Sequence, residues 1–500
     1  MKAKFFLILI FILSIFVRVY KLREIPGEWF GDISNVHEYV SEILRGRWPF
    51  YFFQSPGPVY HYLIVPFILI TGYHDYFTYK FASLSVSIIG LFCMYLFFKE
   101  IAGIKIALVA VLISSISFWY LVWSRLGNSQ IMIPGLVALL CFYVARFFKN
   151  KKTSDLFWMM TVVSIGWITY PQTFILPPFI FIFALIFILI NKKRIDFWKK
   201  LAVLFLVFLA GVSILGLVLS RQNLYFSGNF SKEGYVGEKI MPIFGMDKRE
   251  FFSKLGQNLL KTYLMLHVAG DGTFRVNIPR QPQLDFVSGI LFLVGLIFMF
   301  RKLRISFGLL ILLSLLIFPL PSVSPAINPS EIPNSARTIA IIPFVYLLVG
   351  MGIKLISKNK LMTVFAVLLF FSISGINLRN YFITYARGLP ENNLAPSRYI
   401  YEYIDKNIPA NYNLYFGECC WGSYGEPEPK AISYQLKKKR KIVNYNRVIS
   451  SCEEIEKPAV LVVRDLDKIK DKFGDCVFGA KEMEVKSDKG GYITKLLLIK

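Results

Sequence analysis

Zinc-type cysteine spacing is missing from this 500-residue sequence. Its six cysteines include no CxxC pair, Cys419 and Cys420 being adjacent, so no motif marks a metal centre. A small-x-small cleavage site is missing too. The first apolar run, Phe5 to Val17, is preceded by Lys2 and Lys4 and followed by Val19, Tyr20 and Leu22. Bulky residues at that point exclude a cleaved signal peptide, and the run reads as an uncleaved first span. No soluble module with interleaved basic and aromatic residues is visible, so the net charge of +25 does not imply nucleic-acid binding. Internal repeats and low-complexity tracts are also lacking.

Apolar residues are what the sequence has in excess. They make up 55% of the chain, aromatics 16%, and the mean hydropathy is +0.52. A soluble protein of this size could not bury so much apolar surface, so lipid must be part of its solvent. The apolar residues come in blocks of roughly 15–22, near the length that crosses a ~30 Å hydrocarbon layer as a helix. After the first run, candidate spans are 58–72, 78–98, 104–122, 130–148, 156–170, 173–190, 198–219, 284–300, 305–320, 336–356 and 360–378. The linkers 147–154, 191–200, 301–304 and 354–360 are dense in Lys and Arg and are expected in the cytoplasm. The N-terminus is then cytoplasmic, and 220–283, 321–335 and the C-terminal region lie outside. Eight blocks precede the 220–283 loop where parity asks for an odd number. The segment "PVYHYLIVPFILITG", short and interrupted by Pro66, is the preferred non-crossing block, with a fold-back of 156–190 as the other choice.

From about 380 onward the pattern changes. "SRYIYEYIDKNI" has helical periodicity, whereas "YNLYFG", "KPAVLVVRD" and "GYITKLLLIK" read as strands, giving a small α/β domain. Its run "KKKRK" (437–441) reads as a solvated patch, since long domains are exempt from the charge rule. Cys93 and Cys141 fall in apolar helices as core fillers. Cys419, Cys420, Cys452 and Cys476 lie in the C-terminal domain, where an outside location permits a disulfide of unreadable connectivity.

Candidate chemistry gathers in the outer segments. In "GEWFGDISNVHEYVSEILRG", Val36, Tyr39, Val40, Ile43 and Leu44 share a helical face, which predicts an amphipathic helix lying on the bilayer, started by Ser34 or Asp32. Asp32 is either a cap for that helix or a base held at the membrane surface. Arg125 follows "FWYLVW" at an outer boundary, and Arg337 begins the helix "RTIAIIPFVYLLVG". Each is a snorkelling side chain or a forked partner for a phosphate. His61, Tyr60 and Tyr170 read as packing or interfacial aromatics.

The order of these motifs resembles the GT-C membrane glycosyltransferases, specifically the family 39-like group related to protein O-mannosyltransferases and the lipid A aminoarabinose transferase. The pieces are "WFGDISNVHEYVSEILRG", "HDYFTYKFASLSVSIIGLFCMYLFFKEIAG", "FWYLVWSRLGNSQIMIPGLVALLCFYVARF", "WITYPQTFILPP", "GDGTFRVNIPRQPQLDFVSGILFLVGL" and "NSARTIAIIPFVYLLVGMGI". The resemblance implies an all-α polytopic module of about 11–12 transmembrane helices over 1–380, with a first external loop at 21–57 and a long one at 220–283. A small extracytoplasmic α/β domain over 381–500 completes the expected fold.

It also implies chemistry. Asp32 would act as the base for an acceptor hydroxyl attacking a polyprenyl-phosphate-linked sugar with inversion. Arg125 and Arg337 would stabilise the leaving phosphate, with Glu38, His61, Tyr170, Asp271 and Arg275 as further substrate-binding candidates. For Asp271 and Arg275 the other reading is a loop salt bridge. The partners implied are the lipid-linked donor, a protein, lipid or glycan acceptor, and membrane lipid. Two departures stand out. Ile33 replaces the second acid of the family's Asp-Glu pair, leaving Glu38 as a substitute, and "SPGPVYHYL" lacks the charged residue of the corresponding family motif. No motif supports a divalent metal. Two other readings are a transporter or flippase of lipid-linked saccharides and a non-catalytic relative. The transporter reading wants polar residues at the bilayer midplane, whereas these cluster at one surface.

Overall fold

The structure, a computed structural model, describes residues 2–49, 52, 57–190, 237, 241–357, 359–416, 429–437, 452–463, 471, 473–474 and 477–500. The expected span 198–219 and the cysteines Cys419, Cys420 and Cys476 lie outside the described residues. The chain divides into two compact units, one of Met1–Leu22 with Tyr39–Tyr385 and one of Arg23–Glu38 with Ala386–Lys500.

The first unit is helical. Its elements are α1 (Lys2–Val19), the C-terminal part of α2 (Gly31–Leu44), α3 (Val59–Thr71), α4 (Tyr76–Ala102), α5 (Ile104–Ile116), α6 (Phe118–Ser124), α7 (Met132–Asn150), α8 (Thr153–Trp167) and α9 (Leu176–Ile190). After these come α10 (Lys248–Leu264), α11 (Phe286–Lys302), α12 (Ile305–Ile317), α13 (Ile342–Ile356) and α14 (Lys360–Arg379). Among the described residues five helical stretches are long and apolar enough to cross a membrane, and a sixth is a bent pair. The protein is a multi-pass membrane protein. Leu361, Val364, Phe365, Leu368 and Phe371 of α14 are exposed, an arrangement that suits lipid and not water.

Helices meet where glycine removes the side chain. A Cβ on Gly135 of α7 would lie 2.9 Å from the Gly90 Cα of α4, and one on Gly295 of α11 would lie 1.8 Å from the Leu348 carbonyl oxygen of α13. Small residues at such crossings let helix backbones approach closely, which drives packing in lipid. At the other extreme α3 has only 13 residues and encloses Pro66, roughly 20 Å of helix against a ~30 Å layer.

Two expectations change. The block 104–122 is not one helix: α5 and α6 meet at Ser117 with a 62° bend. The segment 220–283 is not wholly loop, since α10 occupies Lys248–Leu264, its first turn capped by Asp247 accepting from the Arg249 amide at 3.0 Å.

The second unit carries a four-stranded sheet, β1 (Asn413–Phe416), β2 (Ala459–Val463), β3 (Lys481–Lys486) and β4 (Tyr492–Ile499), in the order β1-β2-β4-β3. β1 and β2 are parallel, and the other pairs are antiparallel. Helices α15 (Pro396–Asn407) and α16 (Pro429–Gln435) place Ile400, Ile404 and Ile432 in a core with Leu414, Phe416, Val460, Val462 and Leu496. Alternate residues Tyr415, Leu461, Val463, Leu497 and Ile499 form a second core with Phe473. The α/β character expected from the sequence is present.

Candidate active site

Helix α2 begins at Gly31, so Asp32 lies inside its first turn rather than ahead of it. Ser34 does not start the helix either; its hydroxyl accepts from the Trp29 indole N–H at 2.9 Å, and both side chains are buried. Val36, Val40 and Ile43 of the expected apolar face are buried, so protein covers most of that face, and Leu44 at the end of the helix is exposed. Asp32 is exposed beside the positive end of the helix, a favourable place for a negative charge. Glu38 is engaged: its Oε1 accepts from Lys430 Nζ at 2.8 Å and from the Tyr434 hydroxyl. Asp32, Glu38, Lys430 and Tyr434 all belong to the second unit.

The remaining candidates belong to the first unit. Arg125 caps the C-terminus of α6 and is fully buried. Its Nη1 donates to the Val17 carbonyl at 3.1 Å, and its guanidinium stands 5.0 Å from the Tyr381 ring and 5.3 Å from the Phe382 ring. Tyr381 stacks on Tyr385 at 5.3 Å, and the Tyr385 hydroxyl donates to the Arg275 carbonyl at 2.6 Å. Arg125 and Arg275 are thus joined through a tyrosine pair. The Arg275 guanidinium itself lies 5.5 Å from the Phe274 ring.

Asp271 is neither exposed nor part of an ion pair among the described residues. Its Oδ1 accepts from the Thr273 amide at 2.8 Å and its Oδ2 from the Ser335 amide at 2.7 Å, which ties two loops together. Arg337, on the second of these loops, pairs through Nη2 with Glu331 at 2.5 Å, while its buried Nη1 has no partner among the described residues. His61 is fully buried among the rings of Tyr39, Phe52 and Tyr60. The Tyr170 hydroxyl accepts from Gln130 Nε2 at 3.2 Å. Among the described residues no three His, Cys, Asp or Glu side chains gather as a metal site.

Residues 54–215 match the model of the dolichyl-phosphate-mannose-protein mannosyltransferase family. The whole chain superposes on ArnT from Cupriavidus metallidurans in the apo state with a TM-score of 0.58 and 10% identity, covering 100% of this chain and 98% of that one. ArnT bound to undecaprenyl phosphate gives 0.57, again at 10% identity, with 98% and 97% covered. The Archaeoglobus fulgidus oligosaccharyltransferase in complex with Zn and sulfate gives 0.54 at 12% identity, over 87% of this chain and 62% of that one. No curated protein matches by sequence.

The chain has the GT-C fold. Within its GT-C module two cations escaped the sequence reading. Arg18, in the last turn of α1, is fully buried and donates from Nη1 to Ser14 Oγ at 2.8 Å and the Ser115 carbonyl at 2.7 Å, and from Nε to Ser87 Oγ at 3.0 Å. Its Nη2 is buried without a partner among the described residues. Lys80 is buried on α4, with Nζ 4.6 Å from the Tyr76 ring. A charged residue inside an apolar run was the available signal for both.

Proposed function

We propose that this protein is a membrane glycosyltransferase that moves a sugar from a polyprenyl-phosphate donor to an acceptor hydroxyl on the extracytoplasmic side, with inversion. The observation that carries the reading is the placement of Asp32: an exposed carboxylate in the first turn of α2, shortly after the first apolar helix of a GT-C chain. Asp32 takes the proton of the acceptor hydroxyl as its oxygen bonds to the anomeric carbon. The bond from that carbon to the phosphate oxygen breaks, and its electron pair leaves with the lipid phosphate. A single displacement inverts the centre. Arg125 and Arg337 offer forked cations to the leaving phosphate, and the Nη1 of Arg337, without a partner among the described residues, supports that role. The donor class is supported by the description of the matched family and by the undecaprenyl phosphate bound to ArnT. The acceptor is a protein, lipid or glycan.

The test uses purified protein in lipid with radiolabelled polyprenyl-phosphate sugars. Asp32→Asn is expected to lower release of polyprenyl phosphate by about 10²–10⁴-fold, the usual worth of a general base. Undiminished transfer would sink the base assignment. Labelled lipid crossing between leaflets with no donor consumed would point to transport instead.

A further inference from the structure

The segment Arg23–Glu38 groups with the C-terminal residues Ala386–Lys500, although more than 340 residues of the other unit intervene in sequence. Two sets of contacts hold it, one on each side of Asp32. Before Asp32, Asn393 brackets the chain: its Oδ1 accepts from the Gly27 amide at 2.7 Å and its Nδ2 donates to the Glu24 carbonyl at 3.0 Å. A Cβ at Gly27 would lie 2.4 Å from the Asn393 carbonyl oxygen, so glycine is required for this approach. Next to it Glu28 Oε2 accepts from the Ser397 amide in the first turn of α15 at 3.2 Å. After Asp32, α16 makes the contacts. His37 stacks on Tyr434 at 4.7 Å with planes 14° apart, and Glu38 accepts from both Lys430 and Tyr434.

We propose that the C-terminal unit is the positioning device for the base, and that Lys430 and Tyr434 act as positioning residues through Glu38 and His37. The inference rests on Asp32 being the base. Glu38, the apparent substitute for a missing second acid, has its Oε1 already given to two donors, which suits an anchor better than proton transfer. Four residues separate Asp32 from His37, so the anchors bear on the same short helix. A base must stand within hydrogen-bond reach of its proton, and a shift of about 1 Å can cost ~10²-fold in rate. A loosened anchor therefore lowers kcat while leaving donor KM in place.

The experiment compares full-length protein in lipid carrying Lys430→Glu, the exchanged pair Glu38→Lys/Lys430→Glu, Tyr434→Phe and Asp32→Asn. It reads release of polyprenyl phosphate from radiolabelled polyprenyl-phosphate sugars and hydrogen exchange over residues 27–38. Lys430→Glu is expected to speed exchange over this segment and to lower kcat by roughly 10–100-fold with donor KM within about 3-fold. The exchanged pair restores both readouts. Tyr434→Phe keeps the stack on His37 and produces a smaller loss of the same kind, which covers the case in which the charge reversal disturbs folding. Unchanged exchange and kcat in Lys430→Glu, or failure of the exchanged pair to restore them, overturns the positioning role. Full activity of Asp32→Asn overturns the base instead, while hydrogen exchange still decides whether the anchor exists.

Discussion

At the scale of single residues the protein holds titratable groups in places that set their charge. His74 stands between α3 and α4, its ring 5.8 Å from that of Tyr79, beside Asp75, which caps α4 by accepting from the Thr78 amide at 2.9 Å. Burial lowers the imidazole pKa from 6.5 to about 4, with Asp75 opposing in part. The folded pKa lies below the unfolded one, so the unfolded chain binds more protons in that window. Stability is therefore full above about pH 6.5 and falls as pH drops toward 4, by on the order of 1–3 kcal/mol. The thermal midpoint of wild type in detergent should drop between pH 7 and pH 5 by more than that of His74→Gln, and equal drops would refute the assignment. Single residues were also where the sequence was most ambiguous. Asp32 stood out because it follows an apolar run and opens an amphipathic helix. The partner of Glu38 was invisible, because Lys430 lies 392 positions away and nothing local marks the pairing.

At the scale of elements the break between α5 and α6 shows how a helix interruption is satisfied inside an apolar unit. Ser117 leaves the helical region with ψ of 136°, and the Phe118 amide is accepted by Asn377 Oδ1 at 2.7 Å. Asn377 Nδ2 donates to Asp285 Oδ2 at 2.8 Å, and Asp285 caps α11 through the Ser288 amide at 2.9 Å. On the other side Arg18 covers the Ser115 carbonyl. Orphaned backbone groups at membrane depth cost several kcal/mol, which is why polar side chains gather at the bend. Asn377→Ala is expected to destabilise the protein by about 1–3 kcal/mol, the penalty for one buried group left unmade. Asn377→Asp should cost more, because it sets a second carboxylate against Asp285. Denaturation midpoints that rank the two the other way would refute the network. "IKIALVAVLISSI" and "FWYLVWS" are apolar enough together to pass as one span, so hydropathy ran straight through the break, and only the serines hinted at it. In the sheet, β2 and β4 were legible from their β-branched and leucine runs. Strand β3, "KEMEVK", was not, because an edge strand alternates charges to stay soluble.

For the whole molecule the class was legible because apolar blocks of membrane length and an excess of positive charge are properties of composition, needing no partner. The two-unit division was not, since Arg23–Glu38 joins the C-terminal unit through contacts no local pattern encodes. The proposed orientation rests on charge: the last turn of α7 carries Lys149 and the turn after it Lys151 and Lys152, and basic residues this close to spans favour the cytoplasmic side. An outward-facing Asp32 requires that arrangement, because the turn after α7 and the segment after α1 must then lie on opposite sides. On a background without the native cysteines, Lys489→Cys in the C-terminal unit should react with a membrane-impermeant maleimide on intact cells, and Lys151→Cys only after permeabilisation. Both positions are exposed in the fold, so a silent cysteine reports membrane side rather than burial. Labelling with the two positions reversed would put Asp32 in the cytoplasm, and the transfer reaction with it.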